Sequence, residues 1–145
     1  MKKIASMWLI LISINVYADF TRDSSTEIVT DTLAGLMWQD NEGTTNKHDS
    51  WVDAIEYCED LATGGYGDWR MPNINELLSI LDYEKTCPVH SIFQNVGNCA
   101  GQASYWSSTT INHDDLEPLS VYIEGGEIIA VYIKYDRYVR CVRTK

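Results

Sequence analysis

Four cysteines, Cys58, Cys87, Cys99 and Cys141, constrain this chain more than any other feature. An even number of cysteines in a small exported chain is typical of disulfides, and four cysteines allow three pairings. Cys87 and Cys99 bracket one loop-like stretch, which favours a nested arrangement in which Cys58 bonds to Cys141. Four free thiols are the alternative. No CxxC or histidine-rich spacing is present, and this argues against a zinc site.

The first 18 residues have the pattern of an export signal. Lys2 and Lys3 precede an apolar run at residues 8–14, and Ala18 supplies a small residue at the cleavage point. The run is shorter than the roughly 20 residues that a bilayer core takes. We expect a signal peptide at residues 1–18, then one domain at residues 19–145 without a membrane span, in the periplasm or outside the cell. An uncleaved anchor is the alternative.

The charge of the chain restricts its partners. It carries 21 acidic and 11 basic residues, for a net charge of -10. A protein that neutralises phosphates needs the opposite balance, so nucleic acid is excluded as a first hypothesis. Sulfated polyanions would be repelled as well. The binding partners that the charge still allows are a neutral glycan, a cationic surface or another protein.

Hydrophobic periodicity predicts an α+β fold. An amphipathic helix follows an N-cap at Asp49 or Ser50, with Cys58 on its apolar stripe and a stop at Gly64-Gly65. A shorter helix begins after Asn73, which has capping-box spacing to Glu76. Strands are predicted at residues 27–31, 36–39, 104–108, 119–124, 127–133 and 137–143, whereas residues 20–26 and 41–47 read as irregular. Segregated strands and helices indicate two helices packed on a small antiparallel sheet.

Four ordered motifs identify a family. They are DTLAGLMW at residues 31–38, GGYGDWRMPNINELLSI at 64–80, YWSST at 105–109 and VRCVR at 139–143. In this order they resemble the bacterial domain of unknown function 1566, also called the Lcl C-terminal domain, over residues 22–143. The resemblance implies a fold similar to C-type lectins and formylglycine-generating enzymes. In C-type lectins a disulfide ties the first helix to the last strand, in agreement with Cys58 and Cys141.

Two of these motifs are better explained by a structural role than by ligand binding or catalysis. In the DWRMP motif, Asp68, Trp69, Arg70 and Pro72 could form a ligand rim. We favour a clamp at the edge of the core, in which Arg70 meets a carboxylate such as Asp68 or Glu76. Trp106 lies in a core strand, and the serines beside it lack a His–Asp pattern and a G-x-S-x-G turn.

One acidic loop is the best candidate for a ligand or metal. Its polar side chains are Asn112, His113, Asp114, Asp115 and Glu117. Oxygen ligands in one loop suit calcium, which Asp114, Asp115 and Glu117 would bind; a solvated acidic loop is the alternative. Glu117-Pro118 is similar to the Glu-Pro-Asn motif of sugar-binding C-type lectins, but Leu119 stands where asparagine is needed. No other cofactor is expected.

The resemblance implies recognition and adhesion more than catalysis. We therefore expect an exported, disulfide-bonded, non-catalytic module that binds a glycan or a protein surface. A structural subunit of an envelope or pilus assembly is the alternative. An enzyme of the formylglycine-generating type is a weaker one, because the four cysteines have a better use as disulfides.

Overall fold

The computed structural model describes residues 19–85, 87, 89–99, 101, 103–111 and 117–145. Its strands are β1 (Phe20–Asp23), β2 (Ile28–Asp31), β3 (Leu36–Gln39), β4 (His48–Asp49), β5 (Ser104–Thr110), β6 (Pro118–Tyr122), β7 (Ile128–Ala130), β8 (Arg137–Tyr138) and β9 (Val142–Thr144). Its α-helices are α1 (Gly43–Asn46), α2 (Trp51–Glu59) and α3 (Ile74–Ser79), and a 3₁₀ turn spans Thr63–Gly65.

These strands form two sheets. Sheet A has the strand order β1-β2-β3-β9, and sheet B has the order β4-β8-β5-β6-β7. The pairings are antiparallel apart from one parallel bridge between Tyr105 and Tyr138. The predicted mixture of helices and antiparallel strands is confirmed. The expectation of a single small sheet is wrong, because two sheets are present.

The last segment, predicted as one strand over residues 137–143, is divided between the sheets. β8 pairs with β4 and β5 in sheet B, whereas β9 pairs with β3 in sheet A. The predicted alternation still holds, with Val139 and Cys141 in one core and Tyr138 and Val142 against the other. Alternation specifies which face a side chain takes but not which strand its backbone pairs with, so the division is invisible in the pattern.

The start of the domain also differs from the prediction. Residues 20–26 were expected to be irregular, but β1 pairs with β2 from Phe20 to Asp23. The Phe20 ring lies 5.8 Å from that of Phe93, and Arg22 is paired with a buried carboxylate. These contacts with distant residues stabilise the strand, which also contains the β-favouring residues Phe20 and Thr21.

Both predicted helices begin at their predicted N-caps, but α2 ends earlier than predicted. Ser50 caps α2, and the capping box of α3 is complete between Asn73 and Glu76. α2 ends at Glu59, before the glycine pair, and the 3₁₀ turn fills the interval. The loop predicted at residues 41–47 contains the single turn of α1. β6 and β7 are shorter than predicted, and β4 was not predicted at all.

Two hydrophobic cores occupy the spaces between helices and sheets. One lies beneath α3 and the long loop that follows it. The other lies beneath α2. The first includes Val29, Trp38, Leu77, Phe93, Tyr105 and Val121, and the second includes Ala54, Cys58, Trp69, Trp106, Val139 and Cys141. No helix in the described part of the chain is long and apolar enough to cross a bilayer.

Two disulfides are present, in the nested pairing. Cys58 of α2 bonds to Cys141 across 83 residues of chain, and both cysteines are fully buried. Cys87 bonds to Cys99 across 12 residues in the long loop, where both are half-buried. The first disulfide therefore fastens α2 to the C-terminal segment, and the second closes a loop whose described residues belong to no helix and to no strand of either sheet.

A buried cluster of charges holds the same long loop to sheet A. The carboxylate of Asp40 is fully buried and accepts hydrogen bonds from Arg22 Nε at 2.6 Å and Arg140 Nη1 at 3.3 Å. It also accepts from the backbone N–H groups of Gln94 and Asn95, each at 3.0 Å. Arg140 in turn donates to the carbonyl of Asn95. Charged groups this deep are stable only when paired, so these contacts hold the loop against the end of β3.

Candidate functional site

An open groove runs along one side of α2. It consists of two adjoining depressions of about 430 and 460 Å³ that share Lys47 and Tyr57, and we call it the Tyr57 groove. One depression is lined by Glu27, Asn41, Glu42, Gly43 and Asn46, and the other by Asp49, Asp53, Glu56, Asp60, Leu61 and Ala62. Volumes of this size are in the range of small-molecule sites.

Tyr57 is held in place from inside the protein. Its hydroxyl oxygen accepts a hydrogen bond from Gln39 Nε2 at 2.8 Å, and Gln39 is fully buried. The side-chain oxygen of Gln39, Oε1, accepts from the backbone N–H of Cys141 at 3.2 Å. The floor of the groove is thus linked to the segment that carries the buried disulfide.

The groove also requires a glycine at position 43. A Cβ atom there would lie 2.6 Å from the hydroxyl oxygen of Tyr57 and 2.9 Å from Gln39 Nε2. Both atoms belong to the anchored hydrogen bond, so neither can move aside without breaking it. Gly43 therefore preserves the space into which the Tyr57 hydroxyl projects.

The electrostatic character of the groove is acidic. Six carboxylates line it, against the single ammonium of Lys47: Glu27, Glu42, Asp49, Asp53, Glu56 and Asp60. Lys47 Nζ lies 2.7 Å from Asp49 and 5.4 Å from the centre of the Tyr57 ring. The hydrogen bond to Asp49 raises the pKa of Lys47. Lys47 is therefore cationic and already paired, and the remaining carboxylates present acceptors to a ligand.

The DWRMP motif forms a clamp at the end of sheet A and lies outside the groove lining. Arg70 makes two hydrogen bonds to Glu76, at 2.6 and 2.8 Å, so Glu76 and not Asp68 is its partner. Asp68 pairs instead with Arg143 of β9 at 2.6 Å, and this hydrogen bond lowers the pKa of Asp68. Trp69 is buried and donates to the carbonyl of Thr63.

The environment of Glu76 combines opposing effects. Burial by itself raises the pKa of Glu76, but hydrogen bonds from Arg70 and from the backbone N–H of Asn73 outweigh it. The pKa therefore lies below its usual range, and Glu76 is ionised at neutral pH. Pro72 next to this clamp is fully buried, as is Trp106, whose Nε1 donates to the carbonyl of Asp49 at 2.8 Å.

The acidic loop lies largely outside the described residues. This applies to Asn112, His113, Asp114 and Asp115. Glu117 is described, is exposed, and accepts a backbone hydrogen bond from Ile111 at 3.0 Å. It does not line the Tyr57 groove. Among the described residues, no group of three or more His, Cys, Asp or Glu side chains is arranged to hold a metal ion.

Sequence patterns alone did not single out the groove. The sequence predicts Lys47 in the irregular segment 41–47 and suggests no ligand-binding residue on α2. One signal was available in retrospect: Tyr57 is an aromatic residue between Glu56 and the buried Cys58, beside a helix face of carboxylates. An aromatic side chain at such a position can have a ligand as its neighbour.

Comparison with known proteins identifies the family. The model of the Lcl C-terminal domain matches residues 27–143. This range contains both helices that carry capping signals, both disulfides and the whole Tyr57 groove. No curated protein matches the chain. Because the matched range covers most of its length, the protein belongs to the Lcl C-terminal domain family.

Proposed function

We propose that the protein is an exported, non-catalytic recognition module with a C-type-lectin-like fold, and that its ligand binds in the Tyr57 groove. The ligand would be a neutral or cationic glycan or the surface of another protein. The observation that carries this proposal is the groove itself, in which an anchored tyrosine lies among carboxylate and amide oxygens.

The chemistry of the lining suits hydroxyl-rich or cationic ligands. Carboxylate and amide oxygens accept hydrogen bonds from sugar hydroxyls or ammonium groups, and a tyrosine ring offers an apolar face with a polar tip. Sulfate groups would meet five carboxylates in addition to the Lys47–Asp49 ion pair. Sulfated glycans should therefore bind poorly at low salt, where repulsion is strongest.

Export is part of the same proposal. Both disulfides are compatible with an oxidising compartment. The expected signal peptide at residues 1–18 lies outside the described residues. The N-terminal sequence of the protein recovered from the medium or the periplasm would test it, with Asp19 as the expected first residue.

A glycan and protein-surface binding array tests the function, using the oxidised chain with calcium and with EDTA. Tyr57→Ala should abolish the signal. Tyr135→Ala is the matched control, because Tyr135 is 55% exposed and lies outside the groove. Calcium-dependent binding that survives Tyr57→Ala would move the site to residues 112–117. Preferential binding of sulfated glycans would refute the electrostatic reasoning, and an array without hits would favour the assembly subunit.

A further inference from the structure

The loop that Cys87 and Cys99 close is in contact with the helix that forms one wall of the Tyr57 groove. α1 and its neighbours supply most of the lining of one depression: Asn41, Glu42, Gly43, Asn46 and Lys47. Thr44, in the same helical turn, is fully buried, and its Oγ1 lies 2.7 Å from the carbonyl oxygen of Asn95, within hydrogen-bond distance. The wall of the groove therefore packs directly on the disulfide-closed loop.

A second link between the loop and α1 passes through a buried tyrosine. The hydroxyl of Tyr105 accepts a hydrogen bond from the backbone N–H of Gly97 at 2.9 Å and donates one to the carbonyl of Thr44 at 3.1 Å. The side-chain amide of Asn95 also donates to the backbone carbonyl of Asp40, the residue before Asn41 of the groove lining. These contacts hold residues 40–44 against residues 95–97 of the loop.

The Cys87–Cys99 disulfide keeps this loop ordered. It joins residues 12 positions apart, and Cys99 Sγ lies 3.4 Å from the carbonyl oxygen of Gly97. Without the covalent bond, the entropy cost of ordering the loop must be offset by its non-covalent contacts alone. In the chain-entropy model, a crosslink over about 15 residues favours the closed loop by a factor of roughly one hundred.

The same disulfide can be reached from the surface. Cys87 lines an open depression of about 320 Å³, together with Lys85, Val89 and Phe93. The ammonium group of Lys85 attracts an approaching thiolate, which is the nucleophile in thiol–disulfide exchange. The other disulfide is fully buried. A reductant in solution therefore meets the loop disulfide first.

We propose that the Cys87–Cys99 disulfide is a redox switch for the Tyr57 groove, and that the oxidised chain is the form that binds ligand. This inference rests on the ligand-binding role proposed above for the groove. When the disulfide opens, residues 95–97 loosen, α1 loses its contacts at Thr44, and the groove loses the wall that carries Gly43. In an oxidising compartment the loop stays closed and the groove stays formed.

The reductant that opens the switch is a dithiol. Its first thiolate attacks Cys87 Sγ, the bond between the two protein sulfurs breaks, and Cys99 leaves as a thiolate that takes up a proton. The second thiol of the reductant loses its proton and attacks the reductant's own sulfur in the mixed disulfide, and Cys87 leaves and is protonated in turn. Two electrons pass to the protein, which gains two thiols, and the dithiol becomes a disulfide.

Hydrogen exchange measured by NMR tests the switch without any ligand. The oxidised chain is compared with two open forms. One is the chain treated with dithiothreitol until alkylation modifies Cys87 and Cys99 while Cys58 and Cys141 stay bonded. The other is the double variant Cys87→Ser/Cys99→Ser, in which the loop cannot close again.

Two amides report on the loop and on α1. The N–H of Gly97 donates to Tyr105, and that of Lys47 donates to the carbonyl of Gly43 at 3.0 Å. Both should exchange about a hundredfold faster in the open forms. The N–H of Val142 donates to the carbonyl of Arg70 at 2.9 Å, away from the loop, and should keep its slow exchange in all forms.

A variant with the disulfide intact separates the two halves of the link. Thr44→Val removes the hydroxyl that faces Asn95 and nearly keeps the shape of the side chain. In the oxidised chain it should speed exchange at Lys47 and leave Gly97 protected. Equal exchange at Lys47 in the oxidised and open forms overturns the proposal. An equal acceleration at Val142 also overturns it, because the protein would then be unfolding as a whole.

Titration calorimetry with a glucosamine oligosaccharide, a cationic glycan, relates the switch to binding. The affinity should fall on reduction in proportion to the fraction of molecules that keep α1 in place. Equal affinity in both forms, with faster exchange at Lys47, overturns the proposal, because the wall would not matter to the ligand. If the oxidised chain does not bind the oligosaccharide but exchange at Lys47 still responds to reduction, the cationic-glycan part of the proposed function fails and the coupling of the disulfide to α1 is supported.

Discussion

Replacing Asp40 by asparagine should destabilise the protein more than any other single change of charge we consider. The carboxylate lies between Arg22 and Arg140, and the side chains of all three are less than a tenth exposed. It accepts two further hydrogen bonds from backbone N–H groups, so four donors converge on two oxygen atoms. Asparagine has nearly the same shape as aspartate, but an NH₂ group replaces one of the two oxygen atoms. This NH₂ group is a hydrogen-bond donor and would face the N–H donors that surround Asp40.

The magnitude follows from burial. Removing one partner of a buried ion pair costs about 3–5 kcal/mol, because the other charge is left uncompensated. Here two guanidinium groups lose their counter-charge, which places the expected loss toward the upper part of that range. For a domain of this size the loss corresponds to a fall of roughly 15 °C in the melting temperature.

Guanidinium chloride unfolding without reductant measures this loss, as a lower midpoint at constant slope. Asp68→Asn is the matched control: the same substitution in a carboxylate–arginine pair whose aspartate side chain is 63% exposed. It should change the midpoint very little, since exposed ion pairs contribute little. If Asp40→Asn costs no more than Asp68→Asn, the buried cluster does not hold the long loop, and the reasoning is refuted.

Three further outcomes are expected. Asn73→Ala removes the cap of α3 and should cost about 1 kcal/mol in the same unfolding assay. The pKa of Glu76 is depressed in the folded state, so its contribution to stability is present above the ordinary value of 4.5 and is lost as pH falls through the folded pKa. The unfolding midpoint should therefore drop at acidic pH, and Glu76→Gln should show less of that drop. Mild reduction should open Cys87–Cys99 before the fully buried Cys58–Cys141, as alkylation and mass spectrometry would show.

Local signals in the sequence predicted the elements that depend on local chemistry. The capping residues Ser50 and Asn73 marked the starts of α2 and α3. The predicted strands 119–124 and 127–133 are separated by the glycine pair at 125–126, a sequence typical of hairpin turns, and both glycines adopt a positive φ between β6 and β7. The bracketing of one loop by Cys87 and Cys99 led to the correct disulfide pairing.

Features that depend on contacts between residues far apart in the sequence could not be predicted from local signals. β1 exists because Phe20 and Arg22 find partners far along the chain, and nothing near them in sequence indicates this. The anchoring of Tyr57 depends on Gln39, which is 18 residues away, and on Cys141 beyond it. Hydrophobic periodicity indicates which side chains are buried but not which residues they contact in the fold. The groove depends on such contacts, so it was not predicted.

The division of residues 137–144 between the two sheets has a consequence for synthesis. β3 pairs with β9, which lies about a hundred residues later in the chain, since Trp38 pairs with Val142. β4 joins sheet B only through β8, so it has no partner strand until β8 has been synthesised. Contacts of such long range form slowly. Residues 137–144 follow the other elements of this fold along the chain, so neither sheet is complete until they have been synthesised. A chain truncated at residue 136 would lack the buried disulfide and the strands that complete both sheets. We expect proteases and chaperones to recognise such a chain as unfolded.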